Sequence, residues 1–482
     1  MSLSSSLANA MTGLNASARS AQVVSSNIAN AMTEGYGRRE LELSSQTLGR
    51  NGAGVTVVGT TRHADPVLIA DRRSAQSEQG SASTMSGFLG QLESAIGIPG
   101  DAGSLSATIS QFENALIEAS SRPDSTVRLQ NVLTASQDLA GKFNAISDDI
   151  QNLRVQADNQ IFEQVSFLNK SLKHIEYLNQ QIQNHSNTNR DVNALVDQRQ
   201  VAIDAISSIV PLKLAERDNG TVALFTEMGA ILVDGRAGTF EFSSTPTIVP
   251  EMTISSGALS GLSLNGTPIN TNAERNAIKG GSLSALFQAR DNTLVSAQSE
   301  IDSIARNIIE RFSDPALDPT STGGLFTDGG ASFDPLNEIA ISQRISVSSA
   351  VIPEAGGAIW RIRDGIGAVS QGDVGNADTI NRMLGALRNS TLIASGSMSS
   401  GSTSFANLAT NFVSQIGSAK HASETDLTYA ITKTETLRTQ ELSGGVDTDQ
   451  EMQKLLLVER SYAANAKIIQ SIDELFDLLL GI

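Results

Sequence analysis

The sequence predicts a mainly α-helical protein with β insertions: a terminal α-helical coiled coil, a body of bundled long helices, and a small inserted β domain. Three observations carry this reading. Apolar residues recur at alternating three- and four-residue steps at both chain ends. A longer stripe of the same spacing runs from Leu139 to Ile182. Between about 211 and 277 the pattern changes to short alternating runs parted by Gly, Asp and Pro. At 482 residues the chain exceeds what one core usually supports. The expected units are residues 1–45 with 445–482 as a terminal coiled-coil assembly domain, 46–210 with 278–444 as a helical rod domain with β hairpins, and 211–277 as the inserted β domain.

At the N-terminus Leu3, Leu7, Ala10, Leu14, Ser17, Ala21, Val24 and Ile28 form one seam, with small side chains that admit a close neighbour. At the C-terminus Leu455, Val458, Tyr462, Asn465, Ile469, Ile472, Phe476 and Leu479 form another. Neither seam can be buried by its own helix, and the simplest partner for each is the other end of the chain. Asn465 at a seam position is the kind of polar residue that fixes register or partner number. The candidate assembly interface is therefore Leu7, Leu14, Val24, Ile28, Leu455, Val458, Tyr462, Asn465, Ile469, Ile472, Phe476 and Leu479.

Between the ends, Gly52 to Gly59 reads as a short strand, and the chain turns helical from Ser83. Pro123-Asp124-Ser125 is a helix start, and the stripe behind it implies a rod of roughly 60 Å or more at 1.5 Å per residue. Its intervening Lys, Asp, Gln and Asn read as a solvated face. The β insertion enters at Pro211 and leaves near Ala277, so it reads as replaceable by a short linker. Helix resumes at Gly281. Within the Gly- and Pro-rich stretch 313–375, Ile341, Ile345, Val347 and Ile359-Trp360-Arg361-Ile362 give brief β signals that predict hairpins. Helix returns from Asp378 to Leu442, broken by the Ser/Gly tract Ser395–Ser404, and Gly444-Gly445 marks a hinge before the last seam.

Composition narrows the function. The formal charge is −17 and the basic residues are scattered, which argues against nucleic-acid binding. Cysteine is absent, so disulfides and thiolate metal sites are excluded. The four histidines, His63, His174, His185 and His421, are isolated in sequence. Asp148 and Asp149 are adjacent on a helix and point about 100° apart, so they cannot converge on a substrate. The Asp residues at 314–334 lack calcium-loop spacing. No catalytic constellation, metal site or cofactor is expected, and no segment reaches the ~20 apolar residues of a membrane span.

The N-terminal seam runs into Ser26-Asn27-Ile28-Ala29-Asn30, followed by Thr33-Glu34-Gly35-Tyr36. With Glu451-Met452, Tyr462-Ala463-Ala464-Asn465-Ala466-Lys467 and Asp473-Glu474-Leu475 at the other end, this resembles the signature of the bacterial flagellar rod, hook and hook-associated axial proteins. The motif residues are Asn27, Ile28, Asn30, Thr33, Gly35 and Tyr36; the chain departs from the family pattern at Glu34, where Pro is commoner, and at Gly37-Arg38-Arg39. The block Gly280 to Leu294 narrows the resemblance to the hook-associated branch. The resemblance implies a non-catalytic structural subunit, exported by a type III route, secreted and extracellular in the flagellum, that joins hook to filament. It implies as partners the flagellar hook protein, a second hook-associated junction protein, copies of itself and a cytosolic export chaperone, with no nucleic acid and no membrane insertion. The rival readings are a hook or filament subunit, or a surface adhesin or hydrolase on a helical stalk.

Overall fold

The structure is a computed structural model that describes residues 3–48, 51–98, 100–188, 190–273, 276–320, 323–396 and 401–481. The first helix, α1 (Leu3–Ala29), leads to a long antiparallel hairpin of β1 (Arg38–Leu48) and β2 (Asn51–His63). Sequence periodicity missed β1: its Leu41 and Leu43 alternate with Glu40 and Glu42, but Leu43 is exposed and the alternation is shallow. Next comes α2 (Pro66–Ile96), which begins well before Ser83. Asp65 caps it, its Oδ1 accepting from the amides of Val67 at 3.0 Å and Leu68 at 3.2 Å, and Pro66 occupies the first turn where its missing N–H costs nothing.

Helix α3 (Leu105–Ser121) precedes α4 (Thr126–Ser186), which has 61 residues and so spans about 90 Å. Ser125 caps α4. Its apolar stripe from Leu139 to Ile182 is buried along its length, against α3, α2, α5 (Asn193–Ser207) and later elements. The insertion follows as two small sheets. One holds β3 (Leu212–Glu216), β4 (Val222–Thr226), β5 (Ile231–Asp234) and β6 (Arg236–Ala237); the other holds β7 (Phe240–Glu241), β8 (Leu262–Leu264) and β9 (Thr267–Ile269).

These sheets share the body's core, and the polar residues of α4 that read as a solvated face are what dock them. Asn169 donates to the Phe240 carbonyl and accepts from its amide, both at 2.8 Å. Asn179 does the same for Val222, at 2.8 and 3.3 Å. Strand-edge amides and carbonyls buried on a helix need such partners. Arg154 donates to the carbonyls of Val249 and Met252, and Asp158 accepts from the Thr245 amide at 2.6 Å and from Arg290 at 2.5 Å. The insertion is therefore not a detachable surface excursion: replacing 212–276 by a linker would remove the Val249 and Met252 carbonyls from Arg154, the Thr245 amide from Asp158 and the Ser260 carbonyl from Arg290.

Helix α6 (Gly281–Gln288) runs through a widened turn, Ala289–Thr293, into α7 (Leu294–Phe312). Then come β10 (Phe326–Asp328), α8 (Ile341–Arg344), β11 (Ile345–Val347), α9 (Arg361–Asp364), α10 (Asp378–Arg388), β12 (Thr391–Leu392), β13 (Ser402–Thr403), α11 (Phe405–Ser443) and α12 (Thr448–Leu480). One expected hairpin forms, β10 against β11. Ile341 and residues 361–362 instead lie in helical turns, because Ile341 and Ile362 are buried and one helical turn reaches the core as well as a strand does. The Asp residues of this stretch organise loops: Asp318 accepts from the amides of Thr320 and Ile366, and Asp328 pairs with Arg344. Phe112, Phe312 and Phe326 pack with ring centroids 5.3–5.8 Å apart and tie α3, α7 and β10 together. The tract 395–404 separates α10 from α11, with 397–400 outside the described residues.

Candidate functional site

Helix α12 packs against α1, and the pairing is antiparallel: Asn465 lies against Gly13, and Glu451 against Asn27. Gly13 makes this approach possible, since a Cβ there would sit 2.8 Å from the Asn465 amide nitrogen. Of the seam residues, Ala10, Ser17, Val24 and Ile472 are buried. Leu7, Leu14, Ile28, Leu455, Val458, Asn465 and Ile469 are half-buried. Tyr462, Phe476 and Leu479 stay exposed. Beside them Met452, Leu456, Leu457, Ile468, Leu475 and Leu478 are also exposed, Leu457 at 63% and Leu478 at 69%. The pair thus buries one side of α12 and leaves a second, broader apolar side in water. The hairpin lies along α1, where Thr12 accepts from the Val55 amide at 3.3 Å.

At the root of the pair the family motif residues form one polar knot. Asn27 is fully buried and all its amide capacity is used: its nitrogen donates to the Arg39 carbonyl at 2.8 Å and to Glu451 Oε2 at 3.0 Å, and its oxygen accepts from the Tyr36 hydroxyl at 2.8 Å and the Arg39 amide at 3.0 Å. Asn30 closes the end of α1 by donating to the Ser26 carbonyl, and Thr33 donates to Asn30. Gly35 turns the chain with φ +76°, where a side chain would also strike Val201. Tyr36 lies under the Arg39 guanidinium at 5.0 Å. Ile28 is the apolar member of the motif.

Glu451, 1% exposed, also accepts from Arg38 Nε at 2.9 Å. Burial alone would raise its carboxyl, but the hydrogen bonds from Asn27 and Arg38, with the charge of Lys454, hold it below the ordinary range. The knot continues into the body. Asp197 on α5 accepts from Arg39 at 2.9 Å, from Arg62 at 2.7 Å and from the Gly37 amide at 3.1 Å. Arg62 bonds Gln200, Gln200 reaches Glu441 on α11, and Glu441 pairs with Arg72, whose other carboxylate partner is Asp204 at 2.7 Å. Burial opposes the Arg72 charge, and the two carboxylates more than offset it, so its pKa lies above the usual value. Sequence reasoning found the motif and the seams but gave no role to Arg62, Arg72, Asp197, Asp204 or Glu441. Charge partners 130 or more residues apart carry no spacing signal; the one available clue was that both end motifs contain polar residues inside otherwise apolar seams.

Comparison with known proteins bears on the same regions. The family model "Flagella basal body rod protein" matches residues 7–36, and "Flagellar basal body rod FlgEFG protein C-terminal" matches 443–482. "Flagellar hook-associated protein FlgK helical domain" matches 89–315. Flagellar hook-associated protein 1 of Escherichia coli (strain K12) is 23% identical, and that of Salmonella typhimurium 24% identical, each over the full length of both chains. The Bacillus subtilis protein of the same name is 27% identical over 47% of each chain. The chain belongs to the flagellar hook-associated protein 1 family. A solved structure of the hook junction protein FlgK from Burkholderia pseudomallei aligns over 54% of this chain and 47% of its own, at 21% identity and a TM-score of 0.44. Membership makes this a flagellar axial structural component, and among the described residues no helix is long and apolar enough to cross a membrane. The two end models of the family meet physically at Asn27 and Glu451.

Proposed function

We propose that this hook-associated protein is the structural subunit joining the flagellar hook to the filament, and that it assembles through its N- and C-terminal helices. The observation that supports this best is the terminal pair itself: α1 covers one side of α12, while Leu456, Leu457, Ile468, Leu475 and Leu478 form a second apolar side with no cover among the described residues. Exposed apolar rows of this kind mark association surfaces. A heterologous contact that does not close on itself builds a helical array, so one such surface serves several subunits. The interface comprises the seam residues from Leu7 to Leu479 together with that outer row. The terminal, rod and inserted regions act as assembly element, lateral body and outward face. The partners are copies of itself, the hook protein, a second junction protein and an export chaperone, and the protein is secreted and extracellular.

The test is localisation. Immuno-electron microscopy places the protein at the distal end of the hook, and a strain lacking the gene carries hooks without filaments while still exporting filament subunits. Finding the protein along the filament, or filaments on the deletion strain, contradicts the reading.

A further inference from the structure

Two covalent connections join the terminal pair to the body: His63 to Pro66 between β2 and α2, and Gly444 to Asp447 between α11 and α12. Two connections define a line, and rotation about that line is unopposed unless a third point is held. The third point is on α5, which belongs to neither connector. Asp197 receives three donors from the far side of the boundary: the Gly37 amide, Arg39 and Arg62. The groups are mostly withdrawn from water, with side-chain exposures of 13% for Asp197, 18% for Arg39 and 14% for Arg62. Charge-assisted bonds in such a setting are short and directional. Backbone choices serve the same contact. Gly37 is buried and the Arg62 side chain passes directly over it to reach Asp197; a Cβ there would lie 2.4 Å from Arg62 Nε and displace it. Val201, one helical turn further on, packs under Gly35. Asn193, one turn earlier, donates to the Thr60 carbonyl at 2.9 Å. A whole face of α5 is thus shaped to the base of the hairpin.

We propose that Asp197 is a positioning residue: it fixes the angle at which the terminal helix pair leaves the body. Its carboxylate contributes little to either core, since its partners are the turn and the hairpin base. It decides the direction in which the apolar side of α12 is presented. The step from a fixed angle to correct assembly rests on the junction reading above; the angle itself is measured on the free chain, so the two can fail separately.

The chain has no cysteine, so two can be introduced without background. With spin labels on Gln470→Cys in α12 and Glu163→Cys in α4, both exposed positions, pulsed electron spin resonance on the full chain reads the angle as a distance distribution. The unmodified background gives one narrow peak. Asp197→Asn widens it by about twofold or more, as expected when a hinge is released, while the body melts within about 2 °C of the parent. Arg39→Gln combined with Arg62→Gln removes the same link from the hairpin side, away from the body's core, and widens the peak equally. That pair decides the matter alone should Asp197→Asn lower the body's melting temperature. A broad distribution in the parent, or an unchanged one in the paired variant, overturns the proposal.

Discussion

Helices α4 and α12 carry the same three- and four-residue apolar spacing, yet their surroundings differ. Along α4, Leu139, Phe143, Ile146, Ile150, Ile161, Leu168, Leu172 and Ile175 are all without solvent exposure, and even its polar Asp158 and Arg154 are buried and bonded. Along α12, among the described residues, only Glu451 and Ile472 are buried. The difference teaches that periodicity reports the need for a partner and not where the partner comes from. The body finds its partners within the chain. The terminal pair finds half of them there and holds the other half open, which is the state expected of an element that becomes a core only on association.

The largest effect that would sharpen this contrast lies in the body. Asp158→Ala takes one of two carboxylates from the fully buried Arg290, which keeps Asp291, and removes the acceptor for the Thr245 amide, at a cost of about 3 kcal/mol or more. Urea unfolding should show it as a lower midpoint for the body, with the terminal helices unaffected. Next comes Ile469→Asp. A carboxylate brought into the apolar seam costs roughly 2–4 kcal/mol, so incorporation at the junction should fail while the body melts normally; normal amounts at the junction would remove the distinction drawn here.

Asn27→Ala strips partners from Glu451, the Tyr36 hydroxyl and the Arg39 amide, about 2 kcal/mol confined to the root of the pair. Hydrogen exchange should accelerate over 20–40 and 448–458 and remain unchanged over 139–175. The smallest effect is acid. Glu451 has a depressed carboxyl, so its contribution is complete above its ordinary value of 4.5 and is lost as pH falls through the lowered one. In the body, burial raises Asp291 and Asp302, so those two sites favour the folded state increasingly as pH falls. Exchange measured from pH 6 to about 3 should therefore loosen the root before the body; simultaneous loss would contradict the separation of the two regions.

Much of this was readable from residue order. The long helix, both seams, the β character of 211–277 and the motif around Asn27 all follow from local spacing. What escaped was set by distant partners. Asp158, Asn169 and Asn179 look like ordinary solvated positions until strands with unpaired backbone groups lie on them. The root escaped for the same reason: the hydrogen-bond donors to the side chains of Asp197 and Glu451 lie more than a hundred residues away, and no local pattern pairs one arginine with one carboxylate. The start of α2 is the exception, since Asp65 and Pro66 form a local helix-start pair that the reading of helix from Ser83 passed over. Asn465 was singled out as a register residue, and the structure sets it against Gly13, a contact that shape imposes as much as polarity.

The bond between Asn27 and Glu451 spans 424 residues. Nearly the whole polypeptide must be present before the first helix can be capped by the last, and closing so long a loop is slow compared with folding the locally connected body. A copy that ends between α11 and α12 would keep the whole body and yet lack the partner of α1, leaving the first helix without its cover.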